Sequence, residues 1–136
     1  IKLLKQAQAN TNDTQQQKDF YFSIKLFESL SVARERDNLQ KASELLEAAI
    51  KIDPVRGSEY ENRLSLWRAD NPSESLILEA EKLASEAFET GNRILKLSNA
   101  ADLLEDAISQ KLVYKDPILL EKYRIKINNW RKGFNL

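Results

Sequence analysis

Five carboxylates recur along two corresponding stretches of the sequence and are the first candidates for chemistry. Paired carboxylates can act as general acid and base or can bind a divalent cation. In both stretches, however, they lie opposite leucine and alanine residues that recur at helical spacing. We therefore predict a solvated helix face rather than a catalytic or metal site. The carboxylates are Glu44, Glu47, Asp102, Glu105 and Asp106.

The C-terminal segment is locally basic and is the second candidate. Its cations are interleaved with Tyr114, Tyr123 and Trp130, a pattern that could bind an acidic peptide, a phosphate or an anionic lipid head group. The alternative, which we favour, is a solvated face that balances the acidic helix before it. The basic residues are Lys115, Lys122, Arg124, Lys126, Arg131 and Lys132.

The residue types that most enzymes use are missing. The chain has no His and no Cys, which removes the commonest general base, the thiolate nucleophile and the usual metal ligands. No glycine-rich phosphate loop or nucleophile elbow is present, and the lone Gly91 is expected to permit close helix approach. We predict a protein that is not an enzyme, with no catalytic, cofactor-binding or metal residues and no cofactor.

Trp67 and Trp130 could stack on a ligand or anchor a core. Each follows a tyrosine by seven residues, on the apolar face of its predicted helix. Because the same residue occupies equivalent places in both halves of the chain, we predict that both are packing anchors.

Composition indicates one all-α domain. The 136 residues are rich in good helix formers and contain only three Gly and three Pro. The formal net charge of zero argues against general electrostatic binding of nucleic acid.

No apolar run is long enough to span a membrane and no signal-peptide pattern is visible, so we expect a soluble domain, with the cytoplasm slightly favoured. The absence of Met, even at position 1, predicts a processed chain or a fragment of a larger protein.

Apolar periodicity and turn residues place six helices after a polar N-terminal segment, 1–13. In the first helix, apolar residues at helical spacing mark a broad packing stripe: Phe20, Ile24, Phe27 and Leu30, widened by Phe22, Leu26 and Ala33. Pro54 is expected to end the second helix, because it disfavours helical geometry at the residue before it. Ser58 and Glu61 have the spacing of a capping box that starts the third. The predicted helices span residues 14–35, 39–52, 58–69, 73–95, 99–111 and 117–132.

The second half of the chain repeats the first. "KASELLEAAI" (41–50) aligns with "NAADLLEDAI" (99–108) at an offset of 58 residues, and Trp67 aligns with Trp130 at an offset of 63. Helical repeats of this kind bury a continuous core by stacking on one another. We predict a single helical repeat domain, 14–136, built from two stacked three-helix units, about 14–70 and about 72–133.

Three apolar residues of the second helix and the proline that follows it recur at spacings of four, three and five residues. In this spacing the first unit resembles the tetratricopeptide repeat, and Leu26 and Ala33 fall where that family packs its first helix. The unit departs from the family at Leu30, where a small residue is usual, and the second unit has Leu112 in place of the closing proline. The resemblance covers residues 23–54 and implies antiparallel helical hairpins. The residues that match the spacing of the family's second helix and closing proline are Ala42, Leu46, Ala49 and Pro54.

The resemblance also implies a scaffold or protein-interaction module that holds a partner protein or peptide in a groove of the long first helices. The pattern Y-x-x-x-I-x-x-W-R, residues 123–131, is further similar to repeat regions of large cyanobacterial multidomain proteins. Alternatives left open are self-association, a purely structural stretch of a longer solenoid, and binding of an anionic membrane or nucleic acid by the basic C-terminal helix. The predicted groove residues are Lys25, Ser29, Arg36, Glu86 and Asn92.

Overall fold

The computed structural model describes residues 12–89 and 91–135. Every regular element in these two ranges is helical, so the all-α prediction is confirmed. None of these helices combines the length and the apolar character needed to cross a membrane. Of the N-terminal segment predicted for residues 1–13, residues 1–11 lie outside the described part. The helices are α1 (Asn12–Ala33), α2 (Leu39–Ile52), α3 (Pro54–Gly57), α4 (Glu61–Trp67), α5 (Pro72–Glu86), α6 (Arg93–Ile108), α7 (Lys111–Tyr114) and α8 (Pro117–Arg131), with a 3-10 turn at Ser58–Tyr60.

An Asp or Asn followed by Pro begins three of these helices. In each case the side-chain oxygen accepts a hydrogen bond from a free amide of the first turn, and Pro fills the first helical position, where no amide proton is needed. The Asp53–Pro54 pair therefore ends α2, as predicted, but also starts α3 at once. The predicted capping box is absent, because the Ser58 hydroxyl donates to the Val55 carbonyl at 2.8 Å. The capping side chains are those of Asp53, Asn71 and Asp116.

The long helix predicted over residues 73–95 is two elements. α5 ends at Glu86, and α6 begins at Arg93 rather than at residue 99. Between them, Gly91 and Asn92 adopt left-handed backbone angles, with φ of 78° and 54°. A Cβ on Gly91 would meet no atom within 4 Å, so the expected close helix approach there is wrong. Gly91 instead supplies the left-handed conformation that reverses the chain.

α6 is the central helix of the packing. α1 packs against α2, and α6 packs against both α5 and α8. Consistent with contacts on several sides, α6 buries neighbouring residues such as Ala100 and Ala101, or Leu103 and Leu104, which point in different directions around the helix. All three of its alanines, Ala100, Ala101 and Ala107, are buried against these neighbours.

The two hairpins bury equivalent positions. Along α2 and α6, residues 58 positions apart are buried in both copies, and the two tryptophans, 63 apart, are 3% and 1% exposed. Both are core anchors, as predicted. This common burial pattern fits two helical hairpins of one design, while the tetratricopeptide arrangement itself stays a prediction. The equivalent buried pairs are Leu39 with Leu97, Ala42 with Ala100, Leu46 with Leu104, and Ala49 with Ala107.

α1 buries only part of the stripe predicted for it. Its buried positions are Phe22, Ser29 and Ala33, which lie seven and eleven residues apart on one side of the helix. Phe20 and Phe27, on the other side of the stripe, are 60% and 73% exposed. The helix is apolar on two faces, and α2 covers only one of them.

Candidate interaction surfaces

Asp106 is buried, so the prediction that it lies on a solvated face is wrong. Its Oδ2 atom accepts hydrogen bonds from Arg63 Nε and Trp67 Nε1, each at 2.9 Å. Burial raises the pKa of this carboxyl, and among the described residues its Oδ1 atom accepts no hydrogen bond. Because Arg63 and Trp67 lie on α4 and Asp106 on α6, the contact fastens the first unit to the second.

Three of the remaining carboxylates, Glu47, Asp102 and Glu105, are paired with arginine, whereas Glu44 is exposed as predicted. Glu105 lies 3.0 Å from Arg34 at the end of α1 and 2.5 Å from Arg131 at the end of α8, and Asp102 contacts the same two guanidinium groups. On α2, the hydrogen bond and charge of Arg68 lower the pKa of Glu47. Within the ranges that the structure covers, no cluster of acidic side chains is placed to hold a metal ion.

The turn after α1 is fixed to the start of α7 by Asp37. This residue adopts φ of 57°, and its carboxylate accepts the Lys111 amide proton at 2.9 Å and a hydrogen bond from the Tyr114 hydroxyl. The hydrogen bond to Asp37 raises the pKa of Tyr114. Arg36 then lies over the Tyr114 ring, 4.6 Å from its centroid. The loop thus holds two side chains, an aromatic ring and a guanidinium group, in fixed positions.

The basic residues predicted as one patch point in different directions. Arg131 is bound to Asp102 and Glu105, and Lys126 pairs with Glu81 at 3.1 Å, so both balance acidic helices as the favoured alternative expected. Lys122 lies beside the Tyr123 ring, and Lys115 and Lys132 are exposed. Arg124 alone of this set turns toward the end of α1.

Arg124 lines a cavity of about 360 Å³ together with Arg34 and Arg36. We call this cavity the arginine pocket. It lies where the ends of α1 and α6 meet α7 and α8, and among the described residues Glu105 is the only acidic one in its lining. Its remaining lining residues are Ile108, Ser109, Tyr114, Leu120 and Ile127.

A second surface is the uncovered side of α1. Phe20, Tyr21, Ile24 and Phe27 are exposed, and we call these four residues the α1 face. Phe20, Ile24 and Phe27 recur at i, i+4 and i+7 and therefore form one continuous stripe. At its edge, Lys25 and Glu28 form an ion pair at 4.0 Å.

The five predicted groove residues do not come together. Ser29 is fully buried and donates to the Leu26 carbonyl, so its expected exposure is wrong. Arg36 lies at the arginine pocket, whereas Asn92 precedes the opposite end of α6, about 24 Å away along that 16-residue helix. Lys25 flanks the α1 face, and Glu86 closes α5.

No family model, curated protein or solved structure matches this chain. The all-α fold class therefore follows from the helices alone. Function has to be inferred from the arginine pocket and the α1 face.

The sequence contained a signal for two of the features that were missed. At the offset of 58 residues, Asp106 aligns with Ala48, so a charge replaces a small apolar residue beside the helix interface. The same offset pairs Ile24 with Lys82 and Phe27 with Ser85, which marks α1 as unusually apolar. Comparing the copies for their differences would have found both.

Proposed function

We propose that this chain is a non-enzymatic protein-interaction module, a helical repeat domain of tetratricopeptide type, whose α1 face binds an amphipathic helix of a partner protein. The observation that carries the proposal is the exposure of Phe20, Tyr21, Ile24 and Phe27 along one helix. The largest apolar patch that a typical monomer exposes covers a few hundred Å², and such patches are often functional.

The second unit supplies an internal comparison for this face. At the equivalent positions of α5, Glu79, Lys82 and Ser85 replace Tyr21, Ile24 and Phe27, while Phe20 is matched by Leu78, which is 61% exposed. A first helix in the same kind of hairpin can therefore be polar at three of the four positions. Packing of the domain does not require apolar side chains there, which supports a role for them outside the fold.

The size of the face suits a helix. From the exposed fractions of its four side chains, it presents on the order of 400 Å² of apolar surface. Covering that area and an equal area on the partner helix contributes about 20 kcal/mol, of which the loss of translational, rotational and side-chain freedom takes about 12 kcal/mol. The remainder of about 8 kcal/mol corresponds to micromolar affinity. We therefore expect a dissociation constant in the micromolar range. A partner helix would present anchors at i, i+3 or i+4, and i+7, and Lys25 and Glu28 at the edge would fix its direction.

The partner can be identified by crosslinking from the face itself. A photoreactive benzoylphenylalanine replaces Phe27, which is 73% exposed, and the full-length protein is irradiated in its native cells. The matched control carries the same group at Ile118, which is 81% exposed on α8. Mass spectrometry then locates the crosslinked segment, and a synthetic peptide of that segment is titrated into the domain.

The proposal requires a segment of another protein with helical apolar periodicity, crosslinked from position 27 but not from position 118, and micromolar binding of the peptide. Equal crosslinking from both positions, or a crosslinked segment without such periodicity, would overturn it. Crosslinks from position 27 to α1 of a second copy would show that this face mediates self-association rather than binding of a partner protein.

Binding of an anionic membrane or nucleic acid by α8 has less support. Two of its cations, Lys126 and Arg131, already have carboxylate partners. Such binding would weaken steeply with added salt, whereas binding to the α1 face should change little. Titrations with anionic vesicles and with a duplex oligonucleotide at low and high salt separate the two.

A further inference from the structure

The arginine pocket has more positive charge than the protein itself neutralises. Arg34 is paired with Asp102 and Glu105, but Arg36 and Arg124 have no carboxylate within ion-pair distance among the residues that the structure describes. Glu105 already serves both Arg34 and Arg131. The pocket therefore presents two uncompensated guanidinium groups.

This is unusual for the chain, because most of its other arginines have acidic partners. Besides Arg34, four described arginines are paired in this way, and Arg93 lies over the Phe88 ring instead. Two of the three described arginines that lack a carboxylate partner therefore line the same pocket. The four pairs are Arg56 with Asp19, Arg63 with Asp106, Arg68 with Glu47, and Arg131 with Glu105.

One of the two guanidinium groups is held in place. Arg36 lies on the Tyr114 ring, and the Tyr114 hydroxyl donates to Asp37. A group that is already oriented loses less conformational entropy when it binds. Arg124 projects from α8 into the same cavity, so the two groups approach a ligand from different elements.

The pocket also has an apolar wall, formed by Ile108, Leu120 and Ile127. A volume of about 360 Å³ is within the range of small-molecule sites. Guanidinium groups bind carboxylate and phosphate oxygens through paired hydrogen bonds. Charge and lining together favour an anion that has an apolar part.

We propose that the arginine pocket binds a small organic oxyanion, a dicarboxylate or a phosphate monoester, with its oxygens on Arg36 and Arg124 and its apolar part on Ile108, Leu120 and Ile127. The site involves none of the residues of the α1 face. Failure of either proposal therefore leaves the other standing.

Four probes at constant ionic strength test the site: succinate, phenylsuccinate, inorganic phosphate and phenyl phosphate. Binding is followed by isothermal titration calorimetry and by the NMR signals of the arginine side chains. We expect saturable binding of phenylsuccinate or of phenyl phosphate, at least about fivefold tighter than that of the matching probe without the ring. Binding of phenylsuccinate would identify the ligand as a carboxylate, and binding of phenyl phosphate would identify it as a phosphate.

Arg36→Gln/Arg124→Gln should weaken binding at least about tenfold. Arg93→Gln is the matched control, since Arg93 also lacks a carboxylate partner but lies at the far end of α6, and it should leave the affinity unchanged. Arg124→Gln alone is a second variant that removes no hydrogen bond or ion pair among the described residues. An equal loss in the Arg93 variant, no loss in the Arg36 and Arg124 variants, no gain from the ring, or no saturable binding of any probe would overturn the proposal.

Discussion

Replacing Asp106 by Ala tests how the two units are held together. The variant leaves Trp67 Nε1 without its acceptor, and it leaves the Arg63 guanidinium, whose side chain is 13% exposed, without its partner. An orphaned buried donor costs about 1–3 kcal/mol, and breaking a buried ion pair about 3–5 kcal/mol. Because Arg63 can turn partly toward solvent, we expect a combined loss of about 3 kcal/mol, or a fall in Tm of about 10 °C. Alanine is a fair replacement, since Ala48 occupies the equivalent position in α2.

Urea unfolding followed by tryptophan fluorescence measures this loss. Asn99→Ala, an exposed substitution on the same helix, is the control and should change stability by no more than about 0.5 kcal/mol. A double-mutant cycle with Arg63→Met should give a coupling of at least about 1 kcal/mol. A loss under about 1 kcal/mol in the Asp106 variant, or no coupling, would refute the role given to this contact.

Three further predictions concern packing and charge. A Cβ on Gly57 would lie 2.8 Å from Ile50 Cα, so Gly57→Ala should cost about 1–3 kcal/mol in urea unfolding, and full stability would contradict that close approach. The pKa of Asp106 is raised in the folded protein, so protonation of its carboxyl stabilises the fold. This stabilisation is complete below the ordinary Asp range, about pH 4, and is lost as the pH rises through the raised pKa. The unfolding free energy of the wild type should therefore fall relative to Asp106→Asn between pH 4 and pH 7, and a constant difference would count against it. Arg131→Gln removes a partly exposed pair and should cost less than about 1 kcal/mol, less still in high salt; a loss as large as that of Asp106→Ala would be inconsistent with solvent screening.

The fold class and most helix positions could be predicted, because they depend on local chemistry. Helix formers and apolar periodicity are enough to place α2 at Leu39–Ile52. The role of Asp53–Pro54 was harder to predict, because the pair that ends α2 also caps and begins α3. The break before α6 was missed because the apolar pattern continues through Leu95, while the reversal depends on the backbone angles of Gly91 and Asn92.

The functional surfaces could be predicted only in part. Periodicity reveals which residues share a face of α1, but not which face α2 covers, so Phe27 and Phe22 could not be told apart. The burial of Asp106 depends on Arg63, 43 residues away in the sequence. Arg36 and Arg124, which both line the arginine pocket, are likewise far apart in the sequence.

The most direct test of the interaction module transplants residues of the second unit onto the first. Ile24→Lys/Phe27→Ser gives α1 the residues that α5 has at the equivalent positions, and Ile118→Ser on α8 is the control. The affinity of the partner peptide found by crosslinking is measured for each variant. The unfolding free energy of each variant is measured in urea to check that it is folded. We predict unchanged stability in both, binding weakened at least about thirtyfold in the α1 variant, and full affinity in the control. An α1 variant that stays folded and still binds as the wild type does would contradict the central claim.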